Sequence, residues 1–531
     1  MLVALLVGLA AAAPASPHER ERLMSAFDAH FTEGVATAPA HAHAAGAPGT
    51  CLTGLVADLK AGWHHLSPAD QRRVSATLSP GRLLVEPPAP PAGPPPPPEA
   101  PCFGYVEPNH LDSEHFSVQW ADGTIDEADA QDFLDALELS WAREVDELGW
   151  LAPDLNGDPM LVQVIDGNYA GAYTTVDRCG SEYAPYVVAY EGSFNQGIWH
   201  RIMAAHEFNH ASQFSYGYAH EFWWWEATAT WMEEYVYPSS NDWSNYVWAY
   251  GEMPEVGLNA SAGNSNDQWL FYHTYAMAIF AFYLDWNHGG HDAVLDTWKE
   301  ARTNAFSTRG YDYWMPDVIN DTGLDWDEVW TGFLAAVSVM DFDQRGSFPR
   351  TPLLDTITAL PAEGSDDGRS TPQSLGANYI RFDEGSVPAG TEIEVTVQGV
   401  EGPVWYGVLV RGSQSREEVV RIDFDENGLG TARIVMDGES PVTLAVSPMD
   451  EQAQGYSYRW TNADTYAYTW SAVPVVPDDG GDTGAPVADD TDAADDEKGG
   501  LFAGCASVGA APGGALALLA LGLVGLRRRR G

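Results

Sequence analysis

The sequence predicts an α+β body followed by an all-β sandwich, and three observations carry that expectation. Residues 102 to about 345 alternate strand and helix signals, the pattern after Pro352 turns to short strands separated by turns, and 531 residues at 45% hydrophobic content exceed what one core holds. Two or three globular units with tails are therefore expected.

In the first region "HFSVQW" reads as a strand, "DEADAQDFLDALELSWAREVDELG" as an amphipathic helix and "PMLVQVIDG" as a buried strand. "APYVVAYEGSF" follows as a strand directly before a long helix, and its edge is expected to accept an extended peptide. In the second region "EIEVTVQGV", "VWYGVLVRG", "VVRIDFDENGLGTARIVMD" and "PVTLAVSP" predict a sandwich over 353–475. There Asp423, Asp425 and Asn427 precede Gly428 like the start of a calcium loop. Ile434, however, stands where the twelve-residue spacing needs a bidentate glutamate, so a hairpin turn at Asn427–Gly428 is expected and Ca²⁺ has no complete motif.

The flanks are compositionally distinct. Residues 1–15 are an apolar run ending Ala13-Pro14-Ala15, the pattern of a signal peptide and hence of export. Residues 16–86 carry helical patterning, with Ser67-Pro68 as a helix cap, and read equally as a pro-region folded over an active site or as a plain extension. A proline-rich spacer spans 87–101, the main body 102–350, and an acidic, self-repelling stalk 476–498. The tail, 499–531, holds an apolar stretch to Leu526 and then Arg527 to Arg530, a marginal membrane span stopped by positive charge.

Asp and Glu number 76 against 26 Lys and Arg, a net charge of −50 that argues against nucleic acid as a partner. In an oxidising compartment one disulfide is expected, with Cys51–Cys102 and Cys102–Cys179 both open. No C-x-x-C occurs, so a thiolate zinc site is not expected.

The chemistry-bearing stretch is "HEFNHASQFSYGYAHEFWWWEATATWMEE". His206 and His210 lie four residues apart, so one helix face presents both imidazoles, and Glu207 can reach a water held between them. The second HEF copy cannot repeat this, because Trp224 lies four residues after His220. A catalytic zinc takes three protein ligands, and Glu226, on the helix opened by the tryptophans, supplies the third. Glu221 would need a tight turn to do so, whereas Glu233 suits an acceptor behind a ligand histidine. Gln213 and Tyr216 stand where the longer motif with a third histidine would need a glycine and that histidine.

"HEFNH" with "WWWEATATWMEE" resembles the gluzincin metallopeptidases, and most closely the myxobacterial family of secreted metalloproteases. The fifteen residues between His210 and Glu226 are fewer than is usual there, and Ala227 replaces the usual glycine. The resemblance implies one Zn²⁺, hydrolysis of peptide bonds in a protein or peptide substrate, and Glu207 as general base. It also implies an oxyanion donor from "WLFYHTYAMAIFAFYLDW", where Tyr272, His273 and Tyr275 are available and Tyr275 begins the matching pattern. The terminal Gly504-Cys505, apolar helix and arginine block resemble the MYXO-CTERM surface-sorting tail, which implies removal near Cys505 and retention at the cell surface or outer membrane. An uncleaved single-span anchor is the alternative, and a catalytically silent surface-binding protein is the alternative for the whole chain.

Overall fold

The structure is a computed structural model that describes residues 16–31, 50–78, 103, 105–155, 157–167, 169–179, 182–217, 222–260, 268–305, 314–366, 368, 370–451 and 464–476. The expected signal peptide, proline-rich spacer, stalk (apart from Val476) and tail, and with them Cys102, Glu221 and Cys505, lie outside these residues, as does the side chain of Cys179. Among the described residues no helix is long and apolar enough to cross a membrane. The architecture is α+β.

The leading segment supplies α1 (Pro17–Phe31), a two-residue strand β1 (Thr50–Cys51), α2 (Thr53–Ala61) and α3 (Pro68–Leu78). Ser67 Oγ accepts the Asp70 amide at 3.2 Å, and Pro68 opens α3, where its missing N–H costs nothing. Strands β2 (Asn109–Asp112) and β3 (Phe116–Trp120), helix α4 (Glu127–Trp141) and strands β4 (Met160–Ile165), β5 (Gly171–Cys179) and β6 (Glu182–Tyr190) follow. Asp126 caps α4 by accepting the Asp129 amide, and a π-helical turn, Ala142–Glu147, ends it.

The six strands form one mixed sheet in the order β1-β5-β6-β4-β3-β2. Its central strands are buried on both faces, which is why "MLVQVI" is an unbroken apolar run but for Gln163. Alternation assigns the faces: Val162, Val164, Val187 and Ala189 pack with α4 and with α5 (Trp199–Phe214), while Leu161, Ile165, Tyr186 and Val188 pack with Leu23, Phe27, Val56, Leu59 and Leu78. The leading helices thus have no core of their own; they are the third layer of an α/β/α stack. The strand expected to offer a free edge, β6, is hydrogen-bonded to β5 on one side and β4 on the other. The near-edge strand is β5, and β1 is all that lies beyond it in the sheet.

Next come α6 (Phe222–Val236), α7 (Trp248–Glu252), α8 (Gln268–Ala276), α9 (Ala278–His288), α10 (His291–Ala305), α11 (Met315–Asp321) and α12 (Trp326–Val339). They pack around a tryptophan-rich core that includes Trp224, Trp231, Trp243, Trp298 and Trp330. Buried indoles of this size each contribute about 3–5 kcal/mol against truncation to alanine.

Strands β7 (Leu353–Ile357), β8 (Ala362–Ser365), β9 (Asn378–Phe382), β10 (Thr391–Gly399), β11 (Val404–Arg411), β12 (Glu418–Ile422), β13 (Leu429–Met436), β14 (Val442–Met449) and β15 (Tyr468–Pro474) form two sheets, β13-β10-β15-β8 and β12-β11-β14-β9-β7. On β11, Trp405 and Leu409 face the other sheet, while Tyr406, Val408 and Val410 turn outward into the tryptophan-rich core. Trp330 Nε1 donates to Ser447 Oγ (3.2 Å), and the Tyr406 hydroxyl donates to Asp327 (2.8 Å). The sandwich and the helical body therefore share one core. At Asn427–Gly428 a turn forms, Gly428 at φ +76°, with Asp425 Oδ1 accepting the amides of Asn427 and Leu429. Its arms pair antiparallel where Phe424 bridges Gly430, as in a hairpin, before β12 and β13 part into different sheets.

Candidate metal centre

Helix α5 is held between the sheet and α6, and every residue from Trp199 to Gln213 except Arg201 is buried. Its two histidines at i and i+4 face α6, on which Glu226 and Glu233 lie seven residues, or two turns, apart and so on one face. Glu226 Oε2 sits 3.2 Å from His206 Nε2 and 3.5 Å from His210 Nε2. A fourth group joins them: Cys51 Sγ, from the end of β1, lies 3.4 Å from His210 Nε2. Cys51, His206, His210 and Glu226 are all buried, their donor atoms lie within 4.8 Å of one another, and together they can bind a metal ion.

The donor spacing tests the fit. A tetrahedral ion with bonds of about 2.0 Å to nitrogen or oxygen and about 2.3 Å to sulfur sets neighbouring donors about 3.3–3.6 Å apart, close to the separations found here. The hydrogen bonds behind the donors agree. His206 Nδ1 is 2.7 Å from Glu233 Oε1 and His210 Nδ1 is 2.7 Å from Gln213 Oε1, which leaves each Nε2 turned to the centre. Two imidazole nitrogens, a carboxylate and a sulfur converging in a dry interior are a donor set suited to a cation.

The electrostatics favour positive charge at this point. Burial opposes charge on Glu226, but His210 and His206 beside it bring its carboxyl down to about 2. Burial pushes Glu233 up to about 8 against the pull of His206. Burial also works against a charged His206, yet Cys51, Glu226 and Glu233 hold it well above its usual value. The Cys51 thiol is pushed far up by burial and by the charges of Glu207 and Glu226, so a bound cation is what would keep it ionised.

Of the two expected pairings, Cys51–Cys102 is corrected: Cys51 is a buried free thiol, drawn into the centre because β1 pairs with β5, while Cys102–Cys179 lies outside the described side chains. Glu207 is buried beside the centre, with Oε2 2.7 Å from Thr174 Oγ1 and 3.4 Å from Thr53 Oγ1. Tyr275 sits with its ring 6.1 Å from that of His206, stacks on Tyr246, and donates its hydroxyl to the Cys51 carbonyl at 3.0 Å. It lines the small pocket that Cys51, His206, Glu207 and Glu233 also line. The other two expected donors lie elsewhere: Tyr272 is in the core against Tyr246 and Trp248, and buried His273, whose pKa burial lowers to about 3, finds no hydrogen-bond partner among the described residues.

A polar chain behind His210 escaped the sequence reading. Gln213 Nε2 donates to Asn209 Oδ1 (2.7 Å), to Thr228 Oγ1 (3.0 Å) and to Trp225 O (3.1 Å), which fixes its amide so that Oε1 faces His210. Asn209 Nδ2 in turn donates to Glu144 Oε2 (2.9 Å), delivered by the π-helical turn and pushed well up in pKa by burial. Only the i,i+3 and i,i+4 spacing of Asn209, His210 and Gln213 hinted at it. Gln213→Ala is expected to weaken affinity for a divalent metal about 10–100-fold while the chain stays folded; competition against a fluorescent chelator measures it, and unchanged affinity would sink the positioning role.

No protein-family model matches the chain, and no curated protein matches it.

Proposed function

We propose that the chain is an exported zinc peptidase, and the observation that carries the reading is the convergence of His206, His210 and Glu226 with Glu207 beside them. The donor set of nitrogens, carboxylate and sulfur suits zinc better than a hard cation. When bound, zinc supplies the Lewis acid that acidifies a water and polarises the scissile carbonyl. Glu207 accepts the proton of the attacking water and returns it to the leaving amine, with Thr174 holding Oε2 in place. Tyr275 donates to the carbonyl oxygen as it gains charge, and Glu233 and Gln213 hold the two imidazoles in the ligating tautomer. The leader and the sorting-type tail support display at the cell surface.

A second reading has its own support. Four protein donors make a closed centre, the form of a structural site, and a catalytically silent surface-binding protein would need nothing more. A peptide-library digest separates the two: cleavage that stops with a chelator and returns with zinc is expected from the peptidase. Zinc at about one equivalent per chain, with no cleavage from the full chain or from Cys51→Ala, would leave the silent reading standing.

A further inference from the structure

The leading segment meets the centre at every point a peptidase needs free. Cys51 Sγ completes the donor set, and Thr53 N–H donates to that sulfur at 3.4 Å. The backbone of Thr50 and Cys51 runs along Gly171 and Ala172 of β5, and Leu52 N–H donates to Ala172 O at 2.8 Å, taking the sheet edge to which an extended substrate would add. Thr53 Oγ1 accepts the Thr174 amide at 2.9 Å and lies 3.4 Å from Glu207 Oε2. The Cys51 carbonyl takes the Tyr275 hydroxyl.

We propose that Cys51 is a fourth protein ligand of the metal and that residues 50–61 act as a built-in inhibitor. The sulfur stands where the reacting water would, and the Cys51 carbonyl stands where the scissile carbonyl would. The first half needs only the metal; the second rests on the peptidase reading above. Catalytic zinc keeps one position free of protein, and here that position is filled. The segment is held firmly: Lys60 Nζ donates to Thr175 Oγ1 and to Val176 O, each at 2.9 Å, and Val56 and Leu59 are fully buried against the sheet. A β-carbon at Gly54 would stand 3.9 Å from Glu226 Oε1, which shows how closely the start of α2 approaches the ligands. Opening would break the metal–sulfur bond with both electrons leaving on sulfur; the thiolate would take up a proton supplied by the buffered solvent, and a water would fill the vacated position.

The test loads cobalt(II) into the full chain and into its Cys51→Ala and Cys51→Ser variants, with acetohydroxamate as a small probe for an open metal position. The unaltered chain is expected to show a sulfur-to-cobalt charge-transfer band, and its visible spectrum should not respond to the probe. Both variants should lose the band and bind the probe at least about 10-fold more tightly. Persistence of the band in the variants, or equal probe binding by all three proteins, overturns the proposal. Cys51→Ser keeps the size of the residue, so the comparison survives a folding failure of the alanine variant. Cleavage of an unfolded protein by the same samples reads the peptidase activity separately: variants that take the probe but cut nothing keep the fourth ligand and remove the peptidase.

Discussion

Replacing Glu207 by glutamine in the Cys51→Ala background is expected to lower cleavage of an unstructured protein by about 10²–10⁴-fold, the usual contribution of a general base. Glutamine keeps an oxygen for the Thr174 hydroxyl, 2.7 Å from Oε2, so the local packing survives. What it loses is the capacity to take a proton. Zinc content should stay at about one equivalent, because Glu207 is not among the converging donors. Turnover and bound zinc measured on the same preparation make the comparison; equal turnover in the two proteins would remove Glu207 from the reaction.

The second large effect is at the ligands. His210→Ala takes away a fully buried imidazole whose two nitrogens are committed to Gln213 and to the centre, and bound zinc should fall from about one equivalent to under about 0.1. Stability should follow. An ion present at 1,000 times its dissociation constant adds about 4 kcal/mol to the folded state, so a chelator should lower the unfolding midpoint of the unaltered chain by several degrees. The midpoint of His210→Ala should not respond to the chelator. A variant that still carries a full equivalent of zinc would show that His210 is not a ligand.

The parts of this site that can be read from sequence are those set by one helix at a time. Four-residue spacing puts His206 and His210 on one face, and seven-residue spacing puts Glu226 and Glu233 on another, so a reader needs only the helical period. Cys51 is different. It reaches the centre from 155 residues upstream because β1 lies parallel to β5, and a two-residue strand has no periodicity to detect. Read by compartment alone it becomes one of three candidates for a disulfide. The edge assigned to "PYVVAYEGSF" failed for a related reason: strand order is a property of the sheet, and nothing within the segment shows that β4 and β5 flank it. The sandwich is legible where one face meets solvent, as in β13, whose burial alternates strictly. It is less so in β14, buried throughout because its second face lies on α12.

The last described strand has a mechanical meaning. β15 does not lie at a sheet margin: it runs between β10, which it pairs from Ile393↔Pro474 to Gly399↔Tyr468, and β8, which it pairs from Thr469↔Ser365 to Ala472↔Ala362. Tension drawn along the chain beyond Pro474 would load both hydrogen-bond ladders at once instead of peeling a margin strand. Trp470 and Ala472, buried in the sandwich core, would have to be dragged through packed side chains before the strand gave way. A body attached by such a strand is seated to resist pulling from its carboxyl-terminal side.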